Sequence, residues 1–189
     1  KYSFEWKDMS DCGRKCVGYK VLYSFLFTIL QDAAGCLWSD KWQDGYHFDE
    51  RKSGKYVTKN FNVKGGETVV TPAGTFENCL RVSFDFQAWG YFSGRSEYLF
   101  ADGVGIVRFE HPYGEDKCAV WQLTEYKGTG EGFFPTDDGL FRRYEAEALS
   151  DGWHGSVEYT FDEDENGTVM FKNALGTQDR ADYEKMKKK

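Results

Sequence analysis

The chain has 189 residues, 40% of them hydrophobic and 18% aromatic, with a formal net charge of −7. That is enough apolar material for one large or two small cored domains, and it excludes a disordered chain. The acidic balance, with no basic stripe, excludes a phosphate-reading nucleic-acid surface, and no apolar run reaches the length of a transmembrane helix.

The first sixteen residues carry few order signals, with Ser10–Lys15 as a turn. Residues 17–31 form the first strongly apolar element. Tyr19, Val21, Tyr23, Phe25, Phe27 and Ile29 alternate as in a strand, while Leu22, Leu26 and Leu30 fit helical spacing; the strand pattern is the longer one. Together with Arg14-Lys15 before it and Ala33-Ala34-Gly35-Cys36 after it, this run also has the outline of a lipid-anchoring export signal. Gln31 and Asp32 interrupt that outline, so a buried core element is the better reading. The chain starts at Lys1 rather than Met, as a processed or trimmed chain would.

Residues 37–50 read as a short aromatic strand with a turn, and 55–63 as an alternating strand. Lys64–Glu67, containing Gly65-Gly66, reads as a turn before a further strand at 68–71. Pro72-Ala73-Gly74 is the corner of a sheet: proline presets φ and glycine accepts a left-handed backbone. Beyond it, Phe76, Asn78, Leu80, Val82, Phe84 and Phe86 share one face, and Glu77, Cys79, Arg81, Ser83 and Asp85 the other. This places Cys79 on a polar face. Strands follow at 96–101, 106–111 and 118–126, separated by turns at 102–105 and 112–117, a spacing that predicts an antiparallel meander. Gly-rich residues 128–132 mark a domain boundary, dividing a β module over 1–127 from a second β segment or partial repeat over 133–180. That second part holds a strand at 140–149 and a hairpin at 156–173 turning at Asn166-Gly167, and a charged tail occupies 181–189. The fold class expected is mainly β, an antiparallel meander or curved sheet with little helix.

Within residues 39–112, the corner at Thr71–Val82 followed by the hairpin at Ser96–Glu110 resembles a recurring module of uncharacterised bacterial secreted proteins and lipoproteins. In that family a strand corner of the form VPAGTF.NC..V precedes a hairpin of the form YYA.GVGLVK.E. The segment from Glu131 to Glu147 resembles the opening of the same module, with Phe141 in the place of its usual Trp. The resemblance implies an extracytoplasmic antiparallel sheet, curved as in periplasmic lipoprotein carriers, and supplies no catalytic residue. An arrangement of module end before module start suits a piece of a longer protein.

No catalytic motif is present. His47, His111 and His154 are far apart and form no metal-binding pair, and there is no nucleophile elbow, phosphate loop or dinucleotide fingerprint. The five cysteines include no CxxC; Cys12 and Cys16 are spaced for a small loop disulfide or stand as reduced thiols. The C-terminal half is acidic, with eleven Asp or Glu against two Arg between Gly128 and Gly167. Inside it, Asp162, Asp164 and Asn166 stand at alternate positions before Gly167, like the first half of a calcium loop. Asn173 stands where the bidentate glutamate of such a loop belongs, so a hairpin turn with solvated acids competes with a calcium site, and no other cofactor is suggested.

Among the tryptophans, Trp42, Trp89, Trp121 and Trp153 are the candidates for a ligand-binding aromatic surface, with core packing as the alternative. The reading is a noncatalytic extracytoplasmic module that binds a small ligand, lipid, glycan or cell-envelope protein. It predicts an exposed aromatic patch or apolar cavity. A purely structural or adhesion module predicts a filled core, and an acidic-cleft hydrolase predicts two perturbed carboxylates facing each other.

Overall fold

A computed structural model describes residues 42–53, 56–88, 92–114, 117–133, 135, 137–148, 154–163 and 169–175. The expected buried element at 17–31 lies outside these residues. Among them there are nine strands and no helix. In chain order they are β1 (His47–Ser53), β2 (Tyr56–Thr71), β3 (Gly74–Ala88), β4 (Phe92–Ala101), β5 (Gly105–Gly114), β6 (Lys117–Lys127), β7 (Phe141–Ala148), β8 (His154–Glu163) and β9 (Val169–Leu175). Each pairs antiparallel with its sequence neighbour, so the sheet order is the chain order. The expected antiparallel meander is what forms. The sheet continues from β6 to β7 across the Gly-rich residues, with Trp121 opposite Ala146 and Leu123 opposite Tyr144.

The corner after Thr71 is a tight turn. Thr71 lies opposite Gly74, and the Ala73 amide donates to the Thr71 hydroxyl at 3.2 Å. Gly74 takes φ 141, which a side chain would resist. The corner then reaches across the sheet. The Ala73 amide also donates to the Leu123 carbonyl at 3.1 Å, and the Phe76 ring meets Tyr126 at 5.9 Å. The sheet is therefore curved enough to bring the end of the β2–β3 hairpin onto β6.

Three irregularities in the β2–β3 pair contribute to this curvature, because each extra residue bends the strand that carries it. In β2 the register against β3 shifts between Lys59 and Asn62 and again between Lys64 and Glu67. In β3 it shifts between Cys79 and Phe76. A left-handed residue sits in each: Asn60 at φ 50, Gly66 at φ 78 and Asn78 at φ 54. Lys64–Glu67 is thus not the expected turn. The Asp44 carboxylate accepts the Gly65 amide at 2.9 Å, so the Gly-Gly step is absorbed as a bulge and β2 runs on for 16 residues. The placement of Cys79 is also corrected. The bulge at Asn78 breaks the two-residue alternation, so Cys79 and its neighbour Leu80 are both buried while Asn78 faces water.

The core is built around a spine of stacked rings, one from each of six adjacent strands. Phe48 of β1 stacks on Phe61 of β2 at 4.6 Å, Phe61 on Phe84 of β3 at 5.8 Å, and Phe84 on Tyr98 of β4 at 6.1 Å. Tyr98 stacks on Phe109 of β5 at 5.6 Å, and Phe109 on Trp121 of β6 at 5.7 Å. Cross-strand register sets the spacing: Tyr98 lies opposite Phe109 and Phe109 opposite Trp121. Such contacts add about 0.5–1.5 kcal/mol each beyond the area they bury. At the β1 end Arg51 lies over the Phe48 ring at 4.2 Å and donates to the Tyr46 hydroxyl at 2.9 Å. At the β6 end the Tyr144 ring meets Phe109 edge-on at 5.8 Å.

Candidate functional site

Trp42 and Trp121 are core residues. Trp42 packs beside the spine, 5.2 Å from Phe61 and 6.5 Å from Phe100, and Trp121 is a member of the spine. Neither offers its ring to solvent. Trp89 and Trp153 lie outside the described residues. Among the described residues the large hydrophobic side chain that stands exposed is Val70, next to the sheet corner. Of the calcium-loop candidates, Asp162 lies in β8 opposite Met170, and Asp164 and Asn166 fall outside the described residues. His111 and His154 lie in β5 and β8, which are not neighbours, and His47 is exposed beside the Gly45 carbonyl. Among the described residues no three His, Cys, Asp or Glu side chains are grouped to hold a metal ion, and no helix is long and apolar enough to cross a membrane.

The charged side chains of the sheet are arranged in cross-strand rows. Lys64 pairs with Glu67, Glu67 with Arg81, Arg81 with Glu97, Glu97 with Arg108, and Arg108 with Glu110. A second row links Lys127, Glu125, Arg143 and Glu158 across β6, β7 and β8. Pairs of this exposure contribute only about 0–1 kcal/mol each, and what they chiefly do is favour one register. Their electrostatics show in two carboxylates. Hydrogen bonds from Lys52 and Lys59 hold Glu50 below its ordinary pKa, and a hydrogen bond from Lys64, helped by the nearby Arg81 charge, does the same for Glu67. A lowered carboxylate pKa is the opposite of what a general acid near neutrality needs.

Three buried groups shift upward. Burial raises the Cys79 thiol to about 11, with the Glu67 charge adding to the effect. Burial also raises the hydroxyls of Tyr98 and Tyr144 well above the usual tyrosine range. All three are neutral in the fold and ionise more readily once unfolded. Stability is therefore whole below pH 9.0, the ordinary thiol value, and is lost as pH rises toward about 11. Denaturation midpoints measured across that range should fall steadily, and Cys79→Ala should make the decline shallower. A flat profile would refute this assignment. The thiol donates to the Phe76 carbonyl, Sγ to oxygen 3.5 Å, as a structural cysteine does.

The most unusual side chain is one the sequence reading passed over. In β7 the inward row is Arg142, Tyr144 and Ala146, continuing from Leu140 just before the strand, each no more than 4% exposed. Arg142 thus holds a full charge at a position whose neighbours are apolar or aromatic. Its Nε donates to the Val104 carbonyl at 2.7 Å, and its Nη1 to the carbonyls of Lys127 at 2.8 Å and Phe141 at 2.7 Å. The guanidinium lies 5.6 Å from the Tyr126 ring, and the Tyr144 hydroxyl beside it donates to the Ile106 carbonyl at 2.8 Å. Nη2 is buried and has no hydrogen-bond partner. Desolvation pushes the Arg142 pKa down. The signal was legible: in a half-buried strand, two adjacent arginines cannot both face water, so one of Arg142-Arg143 must point inward.

No family model, curated protein or solved structure matches the chain.

Proposed function

We propose that the protein is a noncatalytic extracytoplasmic β module that binds a ligand or partner. The observation that carries this reading is Arg142, a charged group built into the core row of β7 with donor capacity that the fold leaves unused. Departures from the local rule of apolar-in, polar-out tend to mark functional positions rather than structural ones. Among the described residues the shifted carboxylates move down and the shifted thiol and hydroxyls move up, which suits a binding role better than acid–base chemistry. The burial of Trp42 and Trp121 moves the expected recognition surface away from an aromatic platform. The bacterial secreted or lipoprotein character, suggested by the strand corner and the following hairpin, belongs to the same proposal.

The test is native mass spectrometry of the purified chain beside a denatured, unreduced control. A bound molecule or ion lost on denaturation is the expected result and names its chemistry. A bare native mass from several expression hosts would count against a ligand-binding role and favour the purely structural module.

A further inference from the structure

Three backbone carbonyls orient the Arg142 guanidinium, but carbonyl dipoles do not neutralise it. No described carboxylate pairs with Arg142, and the nearby Tyr144 is a neutral phenol whose proton is committed to Ile106. A buried guanidinium held rigidly at Nε and Nη1 presents its remaining N–H groups in a fixed direction. That is the geometry with which arginine recognises planar or tetrahedral oxygen anions, and it is lost in lysine.

The segment that follows β6 docks beside two of these acceptors. Residues 128–133 begin immediately after Lys127, one of the Arg142 acceptors. They dock on Gly103, which adjoins Val104, another acceptor: the Gly103 amide donates to the Gly132 carbonyl at 2.8 Å, and the Gly130 amide donates to the Gly103 carbonyl at 2.9 Å. Gly128 and Gly132 take φ 72 and 75, so the segment carries a left-handed glycine at its start and another beside its contact. Phe133 at its end packs against the core, and Gly128 and Gly130 leave no room for a side chain beside Leu140, Pro135 and Asp137.

We propose that Arg142 anchors a binding site for an oxyanion, a carboxylate or a phosphate group. This rests on the binding reading above and names the chemical class of the ligand. The ligand oxygen accepts from Nη2 and supplies the counter-charge that the fold withholds. The Tyr126 ring beside it favours an anion carried on an apolar body.

The test titrates the full chain with octanoate and, separately, with inorganic phosphate, at an ionic strength held constant with chloride. The Arg142 Nε–H resonance is followed by NMR and assigned by its disappearance in Arg142→Gln. A saturable shift with octanoate alone identifies a carboxylate on an apolar chain; one with phosphate alone identifies a phosphate ester; either supports the site. Affinity should fall by roughly tenfold or more in Arg142→Gln, because a charge-assisted hydrogen bond is lost. If that variant does not fold, Arg142→Lys takes its place for both the assignment and the affinity comparison. No shift with either anion, or binding that survives in folded Arg142→Gln, overturns the proposal. A ligand found by native mass spectrometry that carries no oxyanion would overturn this inference while leaving the binding reading intact.

Discussion

Phe109→Ala is expected to remove about 3–5 kcal/mol of stability, the range for truncating a buried aromatic ring. Phe109 is 3% exposed and stacks on Tyr98 and Trp121, with Tyr144 edge-on to it. Its loss takes one ring contact from each of Tyr98, Trp121 and Tyr144 and leaves a cavity that rigid neighbours in paired strands cannot close. Small domains have only about 5–15 kcal/mol of total stability, so the variant should unfold at much lower urea concentration and sit close to the folding limit. Phe48→Ala, at the half-buried end of the same spine, should cost clearly less. Equal losses at the two positions would mean that the spine is not the organising element of the core.

The second large effect is expected at Arg142. Arg142→Ala removes three charge-assisted hydrogen bonds, leaves the carbonyls of Val104, Lys127 and Phe141 without that donor, and opens a cavity. The cost should be about 3 kcal/mol or more. Arg142→Met fills most of the volume and also removes a desolvated charge, so its cost should be smaller, about 1–2 kcal/mol. Urea midpoints of the two variants, measured at one pH, give the order directly. If methionine proved as damaging as alanine, the carbonyl clamp rather than the packing would dominate. If neither substitution mattered, Arg142 would be neither clamp nor anchor.

Much of the fold was legible because its strands are half-buried. In β3 the run from Leu80 to Phe84 keeps a clean two-residue alternation, and the turns after β4 and β5 carry Gly and Asp at the corners. What escaped was conformational choice at single residues. Asn78 adopts φ 54, and nothing in its neighbours distinguishes that from an ordinary strand residue, so Cys79 was assigned to the wrong environment. Gly65-Gly66 suits a turn and a bulge equally well; the decision belongs to Asp44, 21 residues away in sequence, whose carboxylate takes the Gly65 amide. Trp42 and Trp121 took the core alternative for another reason. Composition shows that large rings are available, but only register shows that Trp121 falls opposite Ala146 and in line with Phe109. Arg142 could have been found, since period two sends one of two adjacent arginines inward, but choosing between Arg142 and Arg143 needs the register of β7 against β6.

Arg51 has a consequence for how the molecule behaves in a crowd. A row of parallel rings across paired strands is also the motif by which chains add to one another edge to edge and grow into fibrils. Among the described strands, β1 ends the row, and its terminal ring is Phe48. The guanidinium over that ring, with Lys52, Glu50 and Lys59 linked along the same border, puts charge where an incoming strand would have to stack. Among the described strands, the side chain that finishes the core thus also sets a charge at the end of the row, as a gatekeeper residue does.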